Sequence, residues 1–235
     1  MSTLIPPRCF NPAIPEMMDR PGNDPLLLRD DLCVLEKINR FLGGHRIPLM
    51  YLPNFLKHKL VTILDLGTGA ADVPRAIARW DTTNSFNVQI TGVDSNPEIL
   101  QIARENVADW PEIRIEQADL LALPYPSESF DIVLCSLTLH HFSEGDVVAI
   151  LRRIHDIARG GYIINDLRRN RIAIWLSRIM ARTIVTNPIA RFDAPASCER
   201  AFTPAELRSL ARQASLSHFS IHRHRFFRMA LVGTK

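Results

Sequence analysis

Long hydrophobic runs are absent from this sequence of 235 residues. No uninterrupted apolar stretch approaches the ~18–20 residues of a membrane-spanning helix. The N-terminus also lacks the basic start and apolar core of a signal peptide, so we expect a cytoplasmic protein. Because 46% of the residues are hydrophobic and 23% are charged, the composition is that of a folded globular chain and excludes a disordered one.

Cysteine pairs and aromatic clusters are also missing. The four cysteines occur without a C-x-x-C pair or a histidine at zinc-finger spacing, so we expect reduced thiols and no bound metal. His218, His222 and His224 have no cysteine or carboxylate beside them, and we expect them on a solvated surface. Aromatic residues make up 7% of the chain and do not alternate with basic runs, which disfavours a binder of single-stranded nucleic acid.

The net charge of +3 conceals an uneven distribution. Residues 1–150 contain 12 Lys+Arg and 20 Asp+Glu, whereas residues 151–235 contain 16 Lys+Arg and 5 Asp+Glu. A basic C-terminal third suits a nucleic acid, an anionic membrane or an acidic substrate. The alternative is a solvated, arginine-rich surface without a partner.

Residues 1–60 predict an N-terminal helical cap. Leucines recur at helical spacing in residues 26–42, two glycines follow, and residues 47–60 suggest a second short helix. From residue 61 to the end, short apolar runs alternate with helical patterns, which predicts a parallel sheet covered on both faces. The predicted strands are 61–66, 88–93, 113–118, 131–136 and 161–166, the helices 72–80, 97–108, 144–159 and one near Thr203, and the antiparallel last pair 219–225 and 228–233.

Residues 168–200 interrupt this alternation as a helical insertion. Ile172, Trp175, Leu176, Ile179 and Met180 share one helical face and the arginines lie elsewhere, which predicts a basic amphipathic helix. We expect this face to pack on the body of the protein. The alternatives are a lid over an apolar substrate, with Trp175 among the contacts, and a peripheral contact with a membrane surface.

The first strand runs into the loop LDLGTGAAD, residues 64–72. Gly67 and Gly69 allow a sharp turn and a close approach of backbone to a ligand, and the next helix presents free N–H groups. The third glycine of a dinucleotide-binding fingerprint is missing, and Asp72 would repel a pyrophosphate. The loop therefore favours a cationic or neutral cofactor over a nicotinamide dinucleotide.

Asp94 ends the second predicted strand, 25 residues after Gly69. A carboxylate at this point of a parallel sheet can accept hydrogen bonds from both hydroxyls of a ribose. The alternative is that Asp94 only caps a turn or a helix.

Four motifs stand in the order and at the spacing of a known family. They cover most of residues 61–167 and read LDLGTGAAD, GVDSNPEIL, QADLLALPYPSESFDIVLCSLTLHHF and GGYIINDLRR. The sequence resembles class I S-adenosylmethionine-dependent methyltransferases of the ubiquinone/menaquinone-methylase-like group. The resemblance implies a methyltransferase domain over residues 61–235, with a Rossmann-like, doubly wound, seven-stranded sheet whose last strand is antiparallel.

The resemblance also implies the cofactor, S-adenosyl-L-methionine, and its contacts. The loop after the first strand would surround the methionine part, Asp94 would bind the ribose hydroxyls and Asp119 the adenine amino group. The implied cofactor-binding residues are Asp65, Gly67, Thr68, Gly69, Asp94, Ser95, Asp119, Leu120, Ser136 and Leu137.

His140 and His141 follow the fourth strand, at the edge where open α/β sheets bind ligands. Because histidine takes up a proton near neutral pH, either is a candidate catalytic base; the alternative is that the pair only closes the strand–helix junction. His45 and Arg168 are candidate substrate-binding residues. For Arg168 and its neighbour Arg169 we favour instead an ion pair with Asp166 that anchors the next segment.

These observations favour an enzyme that transfers a methyl group to oxygen or carbon of a small planar or lipophilic acceptor, such as a phenol, quinol or polyketide product. An RNA methyltransferase is the alternative suggested by the basic C-terminal third. Against it, SLTLHH replaces the Pro-Pro-aromatic motif of amino-directed base methylases, and no Pro-Cys pair occurs. A dehydrogenase and a non-catalytic cofactor-binding protein are the remaining hypotheses, and we expect no DNA partner.

Overall fold

A seven-stranded sheet in the order β3-β2-β1-β4-β5-β7-β6 forms the centre of the computed structural model, which describes residues 5–56 and 60–235. Strands β1 to β5 are parallel, and β7 is antiparallel to β5 and β6. The predicted doubly wound sheet is therefore confirmed. The strands are β1 (Val61–Leu66), β2 (Val88–Asp94), β3 (Ile113–Gln117), β4 (Phe130–Ser136), β5 (Ala158–Leu167), β6 (Phe219–His224) and β7 (Arg228–Thr234).

Eight α-helices are found in the described residues. Residues 57–59, at the end of the predicted second helix, lie outside these residues. No described helix has the length and apolar character needed to cross a bilayer, and all four cysteines carry free thiols. The helices are α1 (Pro25–Phe41), α2 (Arg46–Tyr51), α3 (Asp72–Asn84), α4 (Pro97–Asn106), α5 (Glu144–Ile157), α6 (Arg171–Thr183), α7 (Pro188–Arg200) and α8 (Pro204–Gln213).

Local capping chemistry sets where the helices begin. The Asp24 side chain accepts hydrogen bonds from the backbone N–H groups of Leu26 and Leu27 before α1. Thr203 and Glu206 form a reciprocal capping box at the start of α8, the helix predicted near Thr203. Each cap satisfies backbone donors that the first helical turn leaves without partners.

Alternating strand residues build a hydrophobic layer on each face of the sheet. In β1, Ile63 packs in the layer that includes Ile77 of α3, and Leu64 packs in the layer that includes Ile154 of α5. Because successive strand side chains point to opposite faces, both faces of β1 need apolar residues. This explains the continuous apolar runs seen in the sequence.

An N-terminal segment, residues 5–24, crosses the carboxyl edge of the sheet and is held there by side chains. Arg8 donates to the carbonyls of His140, Phe142 and Arg200. The carboxylate of Asp193 in α7 accepts hydrogen bonds from the backbone N–H groups that follow Glu16. The segment therefore links α7 to the turn after β4.

The predicted packing of the apolar face of α6 is wrong. Ile172 and Trp175 are 58% and 61% exposed, and the helix instead buries Ala173, Ile174 and Ala181. Small alanine side chains let α6 approach its neighbour α7 closely. The larger apolar residues consequently face the solvent or the cavity described below.

A substitution at Gly161 tests how tightly β5 is packed. A methyl group at this position would collide with the Phe55 ring and the Gly233 carbonyl. We expect Gly161→Ala to lower the free energy of unfolding by about 1–3 kcal/mol, because the packed layer cannot absorb the added carbon. Urea denaturation measures the change.

Gly145→Ala is the matched control, since Gly145 lies in the first turn of α5 and its nearest atom would be 3.8 Å from the new carbon. Alanine is the better helix former, so stability should stay equal or rise by up to about 1 kcal/mol. Equal losses for both variants would contradict the packing described here.

Candidate active site

A single crevice at the carboxyl edge of the sheet brings the predicted loops together. Its cavity, of about 370 Å³, is bounded on one side by the loop after β1 and the turn after β4. On the other side lie α1, α6, α7 and the loop between β6 and β7. Lining residues from the first side are Gly67, Thr68, Gly69, Ser136, Leu137, His140 and His141.

The loop after β1 has the conformation that its glycines predict. Gly67 and Gly69 have φ of +65° and +54°, a region that favours glycine. A side chain on Gly67 would also strike Thr138 in the turn after β4. The two loops thus approach each other closely and leave backbone on the cavity surface.

The acidic groups under this loop suit a cation. Asp65 is buried, its Oδ2 accepts from the Thr68 hydroxyl at 2.8 Å, and its Oδ1 has no partner among the described residues. Burial raises the pKa of Asp65 to about 7. A cationic ligand above the loop would favour the ionised form and offset this cost. The residues therefore fit a sulfonium cofactor better than a phosphate-bearing one.

Asp94 and its neighbours lie beside the cavity rather than in its lining. The Asp94 carboxylate accepts hydrogen bonds from the backbone N–H of Gly69 and of Asn96, both at 3.1 Å. Asn96, not Asp94, is the N-cap of α4. Asp94 thus braces the glycine loop, and burial raises its pKa.

The residues after β3 occupy the next position along the edge. Asp119 is exposed and accepts from the Leu121 backbone at 2.9 Å, whereas Leu120 is buried in the core. Ser95, in the turn after β2, offers its carbonyl to the side chain of Gln117. The predicted cofactor residues therefore follow one another across the carboxyl ends of β4, β1, β2 and β3.

His140 lies buried in the turn after β4 and contacts the end of β5. Its Nδ1 donates to Asp166 Oδ1 at 2.7 Å, and its backbone N–H donates to Asp166 Oδ2 at 3.2 Å. Because a carboxylate only accepts, Nδ1 carries the hydrogen of this contact, and Nε2 has no hydrogen-bond partner among the described residues. His140 both closes the junction and lines the cavity.

His141 has a different electrostatic setting. Its Nδ1 donates to Asp19 Oδ2 at 2.7 Å, and its Nε2 lies 3.9 Å from Glu16 Oε2. Burial opposes protonation, but Glu16, Asp19 and Asp166 together raise the pKa of His141 to about 9. This raised pKa favours the protonated form of His141 at neutral pH, in which Nε2 cannot accept a proton.

Of the three predicted substrate contacts, the structure places two away from the cavity and one in its lining. Trp175 faces solvent, while the neighbouring Leu176 lines the cavity. His45 donates from Nε2 to Asp72 at 2.7 Å, which anchors the start of α2 to α3, and it does not line the cavity. Arg168 does line the cavity.

The favoured ion pair of Asp166 with Arg168 or Arg169 is wrong. Asp166 instead contacts His140. Arg169 pairs with Glu206 and donates to the carbonyls of Pro6 and Ala201. These acceptors hold the guanidinium of Arg169, so it does not pair with Asp166.

Sequence reasoning missed three buried carboxylates that line the cavity: Glu16, Asp31 and Asp193. Asp31 did leave a signal, since it falls three residues after Leu28 on the apolar stripe of α1. No local sequence pattern marks Glu16 or Asp193, because their partners are distant in sequence.

Ion pairs with carboxylates neutralise part of the positive charge in the C-terminal third. Arginines of this region form ion pairs on several surfaces of the molecule, which disfavours a continuous nucleic-acid footprint. The pairs are Arg153–Asp156, Arg159–Asp131, Arg169–Glu206, Arg178–Glu199 and Arg200–Glu16.

The fold and the crevice define a class I S-adenosylmethionine-dependent methyltransferase architecture. Residues 63–161 match a family model described as a methyltransferase domain. The matched segment is a methyltransferase domain, as the sequence predicted, and the fold is that of class I S-adenosylmethionine-dependent methyltransferases, a class whose cofactor is S-adenosylmethionine.

Two curated relatives are demethylmenaquinone methyltransferases. The one from Deinococcus radiodurans is 34% identical over 90 residues, which is 38% of this chain and 36% of that protein. The one from Roseiflexus castenholzii is 28% identical over 166 residues, 66% of this chain and 67% of that protein. The chain thus spans between about a third and two thirds of these relatives.

Solved structures share the fold at low identity. A SAM-dependent methyltransferase from Aquifex aeolicus has a TM-score of 0.63 at 16% identity, covering 88% of this chain and 97% of that one. Human N-acetylserotonin methyltransferase in complex with SAM has a TM-score of 0.65 at 17% identity, covering 92% and 60%.

Asp31 makes the stability of the protein depend on pH. Burial, with Asp193, Asp30 and Glu16 nearby, raises the pKa of Asp31 from 3.8 to about 7. Because this pKa is higher in the folded than in the unfolded chain, the native state holds an extra proton between these values. Stability therefore falls as the pH rises through that window.

We expect the melting temperature of Asp31→Asn to be about 2–4 °C above that of the parent protein at pH 8, which corresponds to a gain of ~1 kcal/mol in the free energy of unfolding. At pH 4 the difference between the two melting temperatures should be smaller. Asp30→Asn is the matched control, because Asp30 is the neighbouring carboxylate but is exposed and accepts a hydrogen bond from Asn187. A constant gap between parent and Asp31→Asn from pH 4 to pH 8 would contradict the assignment.

Proposed function

We propose that this protein transfers the methyl group of S-adenosylmethionine to a hydroxyl or an activated carbon of a small lipophilic acceptor. The observation that carries the proposal is one continuous cavity with two chemically different ends. One end is formed by the glycine loop and its acidic neighbours, and the other by apolar side chains of α1 and α6.

The polar end holds the cofactor. When bound, S-adenosylmethionine supplies a methyl group on a positively charged sulfur. The loop from Gly67 to Gly69 binds the methionine part through its backbone, Asp94 accepts from the ribose hydroxyls, and Asp119 with Leu120 binds the adenine. Ser136 and Leu137 line the cavity beside this loop and orient the reacting end.

The apolar end binds the acceptor. Apolar side chains of four elements supply most of its lining, which suits a planar or lipophilic molecule. The names of the demethylmenaquinone methyltransferases favour a quinol-type acceptor. The lining residues are Leu32, Leu35, Ile38, Leu42, Ala173, Leu176, Met180, Val185, Phe226 and Phe227.

His140 takes the acceptor proton. Its Nε2 opens on the cavity, and Asp166 holds the ring and stabilises the charge that forms on protonation. Most of the rate enhancement then comes from holding the acceptor in line with the activated methyl group. Arg168, at the cavity wall, orients an electron-rich acceptor.

The exposed side of α6 supports a contact with an anionic lipid surface. Ile172, Trp175 and Ile179 are exposed on this helix, and Arg171, Arg178 and Arg182 lie beside them. The cavity-facing residues belong to the same helix. A lipophilic acceptor dissolved in a membrane would thereby reach the cavity directly.

Transfer of radiolabelled methyl groups to lipophilic quinols and phenols tests the proposal. The acceptors are presented in vesicles of phosphatidylglycerol or of phosphatidylcholine, and calorimetry measures cofactor affinity. We expect turnover, faster with the anionic vesicles. Asp94→Ala should weaken S-adenosylmethionine binding about 10–100-fold, because it removes charge-assisted hydrogen bonds worth ~1.5–3 kcal/mol.

Asp109→Ala is the matched control, since Asp109 is exposed in the loop after α4. It should bind the cofactor as the parent does. Tight cofactor binding without transfer to any acceptor would contradict catalysis. Equal turnover in the two kinds of vesicle, without sedimentation of the protein on the anionic one, would contradict the membrane contact.

A further inference from the structure

We infer that Glu16, His140 and His141 form a binding site for one divalent transition-metal ion at the acceptor end of the cavity. The site joins the N-terminal segment to the turn after β4. The inference deepens the proposed function and rests on it for the role of the ion, but the site itself stands on the positions of its side chains.

The three side chains converge on one point. His140 Nε2 lies 4.0 Å from Glu16 Oε1, and His141 Nε2 lies 3.9 Å from Glu16 Oε2. One ligand atom from each residue lies within 4.8 Å of the others. Around a tetrahedral ion with bonds of about 2.1 Å, ligand atoms are about 3.4 Å apart. Each atom therefore needs to move inward by less than about 1 Å.

Both histidines already have the orientation of metal ligands. Each donates its Nδ1–H to a carboxylate, His140 to Asp166 and His141 to Asp19, both at 2.7 Å. Metal-ligating histidines commonly make this second contact, which fixes the tautomer and directs the other ring nitrogen to the ion. Neither Nε2 atom has a hydrogen-bond partner among the described residues, and both rings line the cavity.

The excess of negative charge around the site favours a bound cation. With neutral histidines, the four carboxylates of Glu16, Asp19, Asp166 and Asp193 outnumber the three guanidinium groups near them, those of Arg8, Arg200 and Arg228. A further observation concerns the neighbouring residue Asp31. Asp31 is 1% exposed, lines the same cavity, and has no hydrogen-bond partner on either oxygen among the described residues. A nearby cation would compensate this buried carboxyl.

Two existing contacts to Glu16 are compatible with a metal ion. Arg200 Nη1 lies 3.3 Å from Oε1, and the Ser197 hydroxyl donates within 3.0 Å of both oxygens. A carboxylate has about four acceptor positions, so one on Oε2, facing His141, stays available. The same contacts fix the carboxylate in place, as supporting hydrogen bonds do for metal ligands.

Three protein ligands leave coordination positions open towards the apolar end. Two imidazoles and one carboxylate suit Zn²⁺ and also Fe²⁺. An acceptor hydroxyl bound at an open position would lose its proton to bulk water more readily, because the ion lowers the pKa of a bound hydroxyl. The ion would then replace His140 in the role proposed above.

Titration of tag-free, chelator-treated protein with Co²⁺ tests the site, with visible absorption as the readout and Zn²⁺ as the competitor. We expect one ion per chain and the intense bands of a low-symmetry site. Glu16→Gln should abolish binding, and Asp19→Asn should weaken it about 10–100-fold through the loss of an orienting contact. His222→Ala is the matched control, because His222 is an exposed histidine that contacts Ser220.

Calorimetry with S-adenosylmethionine on the same samples separates this inference from the proposed function and confirms that each variant is folded. Cofactor binding without metal binding would overturn the metal site alone. Metal binding that survives Glu16→Gln, or that is lost in His222→Ala, would show adventitious sites and overturn it as well. Metal binding without cofactor binding would uphold the site and contradict the proposed function.

Discussion

The crevice between β1 and β4 is the constraint on which the site depends. Strand order reverses there, so the loops after β1 and β4 diverge to opposite faces of the sheet and leave a gap at the carboxyl edge. Gly67 lets the two loops approach each other closely across this gap, because only a residue without a side chain fits against Thr138. Backbone on one wall and histidines on the other then face a common space.

Buried charge organises the second half of the cavity. The N-terminal segment places Glu16 next to the two histidines. Two residues of α7 hold the segment there: Asp193 accepts from the backbone N–H that follows Glu16, and Arg200 pairs with the Glu16 carboxylate. Such groups are costly to bury and remain only where partners or ligands compensate them. The concentration of carboxylates at the mouth of an apolar pocket therefore indicates function rather than stability.

The sequence predicts the features that depend on neighbouring residues. The alternation of short apolar runs with helical patterns locates β1 and α8, and the order of the motifs locates Asp94 and the glycine loop. Contacts between distant segments leave no local pattern: Asp19 and His141 are 122 positions apart. Trp175 illustrates the limit. The amphipathic pattern shows that Trp175 and the other large apolar residues share one face of α6, but it does not show which face is buried. Packing of small residues against α7 decides that.

A crystal structure with S-adenosylhomocysteine tests the central claim most directly. The account predicts the ribose hydroxyls on Asp94, the adenine beside Asp119 and Leu120, and the sulfur at the edge of the space bounded by Leu137 and His140. Electron density for the ligand at any other place, or an adenine end lying among the apolar residues of α1 and α6, would contradict the assignment of the two ends of the cavity.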